Sequence, residues 1–252
     1  FTFRSHDGEL YSDPATVSVT VAAVNDAPTA DGQSQGTDED TPLSGSVTGD
    51  DIENDSLTFA VVAQASHGTV VMQADGSYVY TPADDYNGPD SFTFRSHDGE
   101  LYSDPATVSV TVAAVNDAPS FVVGSDQPVD EDSGLQTTAW AESISSGPAN
   151  EAGQQVAFQV SNDNATLFAV QPSISPDGVL SYRSAENANG SALVTVVLTD
   201  SGGTDRGGAD ATSPQTFRID VTAVNDAPVA NPQSQTTRED TPLTGTATGS
   251  HV

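Results

Sequence analysis

The sequence contains no cysteine, no lysine, one methionine and one tryptophan. Without cysteine there is no disulfide framework, no thiol catalysis and no thiolate-held zinc. An extracellular location stays open, since secreted proteins also fold without disulfides. Basic residues are scarce: six Arg face 36 Asp and Glu, for a net charge of −30. So few cations cannot offset the repulsion of a polyanion, which excludes nucleic-acid backbone binding as the main task. No apolar run approaches the ~18 residues that would read as a membrane span. No stretch carries a convincing helical period either.

A hydrophobic content of 35% with this charge leans toward disorder. The order of the residues argues otherwise. Between Ala106 and Val112, Val108, Val110 and Val112 fall on one face and Thr107, Ser109 and Thr111 on the other. Phe217, Ile219 and Val221 alternate with Arg218 and Asp220, and the pairs Tyr78/Tyr80 and Phe92/Phe94 follow the same rule. Period-2 alternation is the mark of half-buried strands.

Residues 1–28 recur unchanged at 92–119, 91 residues later. The closing A-V-N-D-A-P returns at 223–228, a further 109 residues on. Such spacings are domain periods. The Asp-Gly at 75–76 and 177–178, Tyr80 and Tyr182, the Asn-Gly at 87–88 and 189–190, and Asp98 and Asp200 each stand 102 apart, so this stretch carries no insertion. The 18 extra residues of the second unit therefore divide into 11 between Pro119 and Asp177 and seven after Asp200. Loop insertions that spare the strand spacing suit a sandwich. The expected division is 1–26 as the end of one repeat, 27–117 and 118–226 as complete repeats, and 227–252 as the start of another. A chain that begins and ends in mid-repeat, with neither initiator Met nor signal peptide, reads as a fragment of a longer array.

The first complete unit predicts seven strands near 29–40, 43–47, 57–62, 69–72, 77–81, 91–95 and 106–112, separated by turn signals at 67–68, 75–76, 87–88 and 98–99. The expected fold is all-β: tandem seven-stranded antiparallel sandwiches in a linear array.

E-D-T-P at 39–42, D-G-S-Y-V-Y-T-P at 75–82, D-Y-N-G-P-D-S-F-T-F at 85–94 and V-N-D-A-P at 115–119 together resemble the cadherin-like tandem repeats of large bacterial surface adhesins, including those exported by the machinery of RTX toxins. The second unit resembles a divergent subtype, with D-E-D at 130–132 and N-D-A-P at 225–228. The resemblance implies a calcium-stiffened rod on a bacterial cell surface, of which this segment is an extender. The partners implied are neighbouring repeats of the same chain, with a surface or polysaccharide target elsewhere in the protein and lateral self-assembly as further options.

The acids are grouped as a calcium site requires, because calcium takes six to eight oxygen ligands. Loops 50–55 and 96–103 should share the N-terminal end of the first unit, which brings Asn25 and Asp26 to Asp51, Glu53, Asp55 and Asp98. The opposite end should gather Glu39 with Asp85 and Asp90, near the linker residues Asn116 and Asp117. In the second unit Glu151 and Asp200 are the donors expected to face Asn116 and Asp117, and Glu131 and Glu186 are expected to join Asn225 and Asp226. The alternative is a merely solvated charged surface. Against it, Asn-Asp precedes a Pro in the linker three times, and crowded like charges repel unless a cation neutralises them.

Catalysis finds little support. Ser96, His97 and Asp98 are adjacent on extended backbone, so their side chains alternate between faces and cannot form a relay. Carboxylates repeated at each junction argue for structural use over a glycosidase pair. Trp140 reads as packing. The alternative to a spacer is a carbohydrate- or protein-binding module, with the inserted stretch 201–215 as its recognition loop.

Overall fold

The computed structural model describes residues 1–250; the last two residues of the expected final repeat lie outside the described residues. The chain separates into two compact units, one spanning Phe1–Ala113 and one beginning at Ala114.

In the first unit, beyond the short pair Thr2–Phe3 and Ala15–Thr16, the sandwich strands are β1 (Gln33–Asp38), β2 (Leu43–Ser46), β3 (Thr58–Ala63), β4 (Gly68–Met72), β5 (Ser77–Pro82), β6 (Gly88–His97) and β7 (Ala106–Ala113). They form a four-stranded sheet in the order β1-β7-β6-β3 and a three-stranded sheet in the order β2-β5-β4. The inward faces are those marked by the alternation. Tyr80, Phe94 and Val108 are fully buried, and Phe92, Val110 and Val112 are nearly so. Each such side chain contributes about 1.5–3 kcal/mol of transfer free energy.

The second unit repeats the plan with β8 (Ser120–Val122), β9 (Gln127–Asp130), β10 (Gln136–Ala139), β11 (Glu142–Ser145), β12 (Ala157–Asn162), β13 (Phe168–Ile174), β14 (Val179–Ser184), β15 (Gly190–Thr199) and β16 (Gln215–Thr222). Its sheets run β9-β16-β15-β12 and β10-β14-β13, with β8 and β11 paired separately. Trp140 is buried, packs on Phe217 with ring centroids 4.3 Å apart, and donates its indole N–H to the Ser125 carbonyl at 3.0 Å. It is a core residue of this unit.

One pairing in each sandwich is parallel. β1 runs parallel to β7, from Gln33 opposite Val108 to Asp38 opposite Ala113, and β9 runs parallel to β16 in the same way. The cause is the odd number of strands in the first unit: the first and seventh run in the same direction, and as sheet neighbours they must pair parallel. The remaining pairs within the two sheets are antiparallel. Chain entering at one end of such a sandwich leaves at the other, which puts the linker residues beside loops.

The duplicated stretch shows what the sheet contributes. Val19 is 73% exposed and Val21 is 87% exposed, whereas the same positions in the second copy, Val110 and Val112, are 1% and 3% exposed. Residues 1–24 keep the local hairpin register, with Thr2 opposite Thr16 as Thr93 is opposite Thr107. The apolar face forms from local sequence, and its burial depends on β1 and the facing sheet.

Candidate metal centres

The N-terminal end of the first unit brings the linker onto two loops. Asn25 Nδ2 donates to Asp98 Oδ2 at 2.9 Å, and the Asp26 amide donates to Glu53 Oε2 at 3.3 Å. Asp51 organises the 50–55 loop: its Oδ1 accepts the amides of Glu53 and Asp55, both at 3.0 Å. Its Oδ2 is buried with no hydrogen-bond partner among the described residues. Asp98 Oδ1 accepts the amides of Glu100 and Leu101 at 2.7 Å, a turn in which an aspartate bonds its own backbone a few residues on. The Leu101 amide, then Asn25 and the Glu100 amide, pull its pKa down to about 2. Asn25 is thus tied to Asp98, and Asp26 to Glu53 in the loop that Asp51 holds together with Asp55.

The second unit reaches the same arrangement from a different loop. Asn116 Nδ2 donates to Asp200 Oδ1 at 3.0 Å, and the Asp117 amide donates to Glu151 Oε1 at 3.1 Å. Glu151 ends a short 3-10 turn, Ala149–Glu151, and is only 7% exposed. Gln154 Nε2 donates to Asn116 Oδ1 at 2.7 Å. Gln154 Oε1 and Asp200 Oδ2 are buried without hydrogen-bond partners among the described residues. Sequence reasoning missed Gln154, because a neutral amide carries no charge signal. Its oxygen is nevertheless a hard donor of the kind calcium accepts.

The opposite ends also correspond. In the first unit Glu39 is 3% exposed and its amide donates to the Ala113 carbonyl at 2.9 Å. Asp40 and Asp85 both hold left-handed backbone, with φ of 54° and 55°, and the Asp85 amide donates to Asp40 Oδ1 at 3.2 Å. One carboxylate oxygen of each lies within 4.8 Å of the other. Asp40 was not among the expected residues. In the second unit Glu131 is 6% exposed and accepts from the Val224 amide at 2.8 Å and from Asn189 Nδ2 at 3.4 Å. The Asn187 amide donates to Asp132 Oδ1 at 3.3 Å, repeating the Asp85–Asp40 bond. Glu186 is exposed and lines an open hollow with Asp132 and Arg183. Asn225 Nδ2 donates to the Asp226 carbonyl at 3.4 Å.

Asp90 turns inward. Its carboxylate accepts the amides of Ser66 and His67 at 3.0 Å, the Ser91 amide at 2.8 Å and the Tyr80 hydroxyl at 2.9 Å. Burial pushes its pKa up, but these four donors together outweigh burial and hold it below the ordinary value. Ser96, His97 and Asp98 likewise take separate partners. Ser96 Oγ donates to the Thr29 carbonyl at 2.9 Å, and His97 packs against Tyr102 with ring centroids 4.1 Å apart.

The architecture defines a class, the β-sandwich repeat of cadherin type. Residues 25–114 match the model of the bacterial cadherin-like domain family. Two solved structures share the fold. A two-domain fragment of human protocadherin-24 (EC1-2, form II) is 18% identical, with a TM-score of 0.57, over 79% of this chain and 100% of that one. Human CDH23 EC21-23 is 18% identical, with a TM-score of 0.50, over 89% of this chain and 80% of that one. Among curated proteins, integrin beta-like protein A of Dictyostelium discoideum is 28% identical over 235 residues, 82% of this chain. This chain spans 12% of that relative's length. No helix among the described residues is long and apolar enough to cross a membrane.

Proposed function

We propose that the chain is a calcium-stiffened extender segment of a large bacterial cell-surface adhesin or extracellular fibre. The observation that carries this reading is a recurrence. In both units a linker Asn donates to a carboxylate of the late loop, the following Asp amide donates to a Glu of an early loop, and a buried carboxylate oxygen nearby, of Asp51 or Asp200, has no hydrogen-bond partner among the described residues. A buried polar atom without a partner is costly, and a bound cation supplies one. The donors are all oxygen, which selects calcium over softer metals.

The ligands proposed at the first entrance are Asn25, Asp26, Asp51, Glu53, Asp55 and Asp98, and at the second Asn116, Asp117, Glu151 and Asp200 with Gln154. At the far ends they are Glu39 and Asp85 with Asp40 in the first unit, and Glu131, Glu186, Asn225 and Asp226 in the second. Asp90 serves the fold. Calcium would tie each linker to its loops by neutralising carboxylates that otherwise repel. The repeat boundaries 1–26, 27–117, 118–226 and 227–252 are part of the same proposal, as are the cell-surface location and neighbouring repeats as partners.

A calcium titration of the decalcified chain by calorimetry tests it. Saturable binding that is reduced in Asp51→Asn and again in Asp200→Asn is expected. Heats no larger than those of dilution would overturn it.

A further inference from the structure

Among the described residues, the stretch 201–210 makes contacts to its linker that the shorter 98–104 loop of the first unit does not repeat. The Ala209 amide donates to the Asn116 carbonyl at 2.8 Å, and Asn116 Nδ2 donates to the Ala209 carbonyl at 2.7 Å. The two residues, 93 positions apart, are joined in both directions. Asn116 Oδ1 is held by Gln154, and Asn116 Nδ2 is shared with Asp200. Every polar atom of the Asn116 side chain is thereby engaged by protein groups. The loop is itself braced: the Asp200 amide donates to the Asp210 carbonyl at 3.0 Å, and the Gln155 amide to Ser201 Oγ at 3.1 Å.

Two glycines make the closure possible. A Cβ on Gly202 would collide with Asn116 Oδ1, and a Cβ on Gly208 would lie 3.0 Å from the Asn116 amide nitrogen and carbonyl oxygen. At Asn25 the described side-chain bonds comprise one, to Asp98.

We infer that the inserted Gly-rich loop is a metal-independent latch, which clamps linker residue Asn116 onto the second unit through Ala209 and Gln154. It is a positioning device for the linker, within the inserted stretch that the binding-module alternative takes as its recognition loop. It explains how the second entrance seats its linker without the acidic 50–55 loop: hydrogen bonds from Gln154 and Ala209 hold Asn116 in place beside the carboxylates of Glu151 and Asp200 whether or not a cation is bound. In its bearing on stiffness the inference rests on the calcium reading above, but the latch itself does not require calcium.

The test is amide hydrogen exchange on the full chain in a chelator, resolved by NMR. The Ala209 amide should exchange at least roughly tenfold more slowly than a free-chain amide without calcium. Gly202→Ala should abolish that protection while core amides such as that of Val196 keep theirs. Gln154→Ala, which in chelator removes only the bond to Oδ1, should weaken it and covers the case in which Gly202→Ala fails to fold. Free exchange at Ala209 in chelator with protection gained only in calcium would overturn the latch, as would protection unchanged in both variants. A chain that binds no calcium yet keeps the protection would overturn the calcium reading and leave the latch standing.

Discussion

Asn116 donates its carboxamide to Asp200 at 3.0 Å, across 84 positions of chain. Asn25 makes the same bond to Asp98 at 2.9 Å across 73 positions. The two loops that deliver the acceptors differ in length and sequence around the bond, yet the linker lands on the same carboxylate in both units. The insertion in the second unit is absorbed on either side of this contact, which makes the contact a fixed point of the repeat.

That contact sets an acid limit for the first entrance. Asp98 has a folded-state pKa of about 2, depressed by the Leu101 amide first and by Asn25 next, against an ordinary aspartate value near ~3.9. A depressed carboxylate contributes stability that is complete above the unfolded value and lost as pH falls through the folded one. Stability should therefore decline between about pH 4 and pH 2, and Asp98→Asn should flatten part of that slope. Denaturant midpoints across this range check it, and an identical slope in the variant would count against the role given to Asp98.

Asp90 offers a contrasting case, because its carboxylate holds the Tyr80 hydroxyl and three backbone amides in the interior. Asp90→Ala should destabilise the first unit by about 2–4 kcal/mol, since several donors lose their acceptor at once. Calcium stoichiometry should stay as in the unmodified chain. Urea unfolding followed by calorimetry separates the two effects.

The duplicated stretch provides its own control. Val19 and Val110 stand at the same place in identical local sequence, one 73% and the other 1% exposed. Val110→Ala should cost roughly 1–3 kcal/mol, and Val19→Ala less than about 0.5 kcal/mol. Equal losses would mean that residues 1–24 are seated in solution as residues 92–115 are.

Much of this was legible in the sequence. Strict alternation through 106–112 and 216–222 marked strands whose inward residues are the buried ones, and the turn glycines marked their limits. The linker Asn-Asp pairs and their partners Glu53, Asp98, Glu151 and Asp200 were marked by counting from one unit to the other. What was not legible lay in side-chain chemistry without charge or in tertiary context. Gln154 carries no charge, so acid clustering passes over it. Asp40 acts through a left-handed turn that its D-E-D triplet does not announce. Asp90 sits in an acidic loop but on the inward face of β6, where the alternation at Phe92 and Phe94 places it. The parallel β1–β7 pairing follows from the first and seventh strands being neighbours in one sheet, which local patterning does not supply.

The central claim is that calcium binds the folded sandwiches through the linker and its loops. The most direct measurement is the melting temperature of the full chain in saturating calcium and in excess chelator. A ligand held only by the folded state at a hundredfold excess over its dissociation constant adds ~2.7 kcal/mol per site. For domains of this size that corresponds to a rise on the order of 10 °C. The account predicts such a rise, with less of it in Asp51→Asn and in Asp200→Asn. Equal melting temperatures in calcium and in chelator would contradict it.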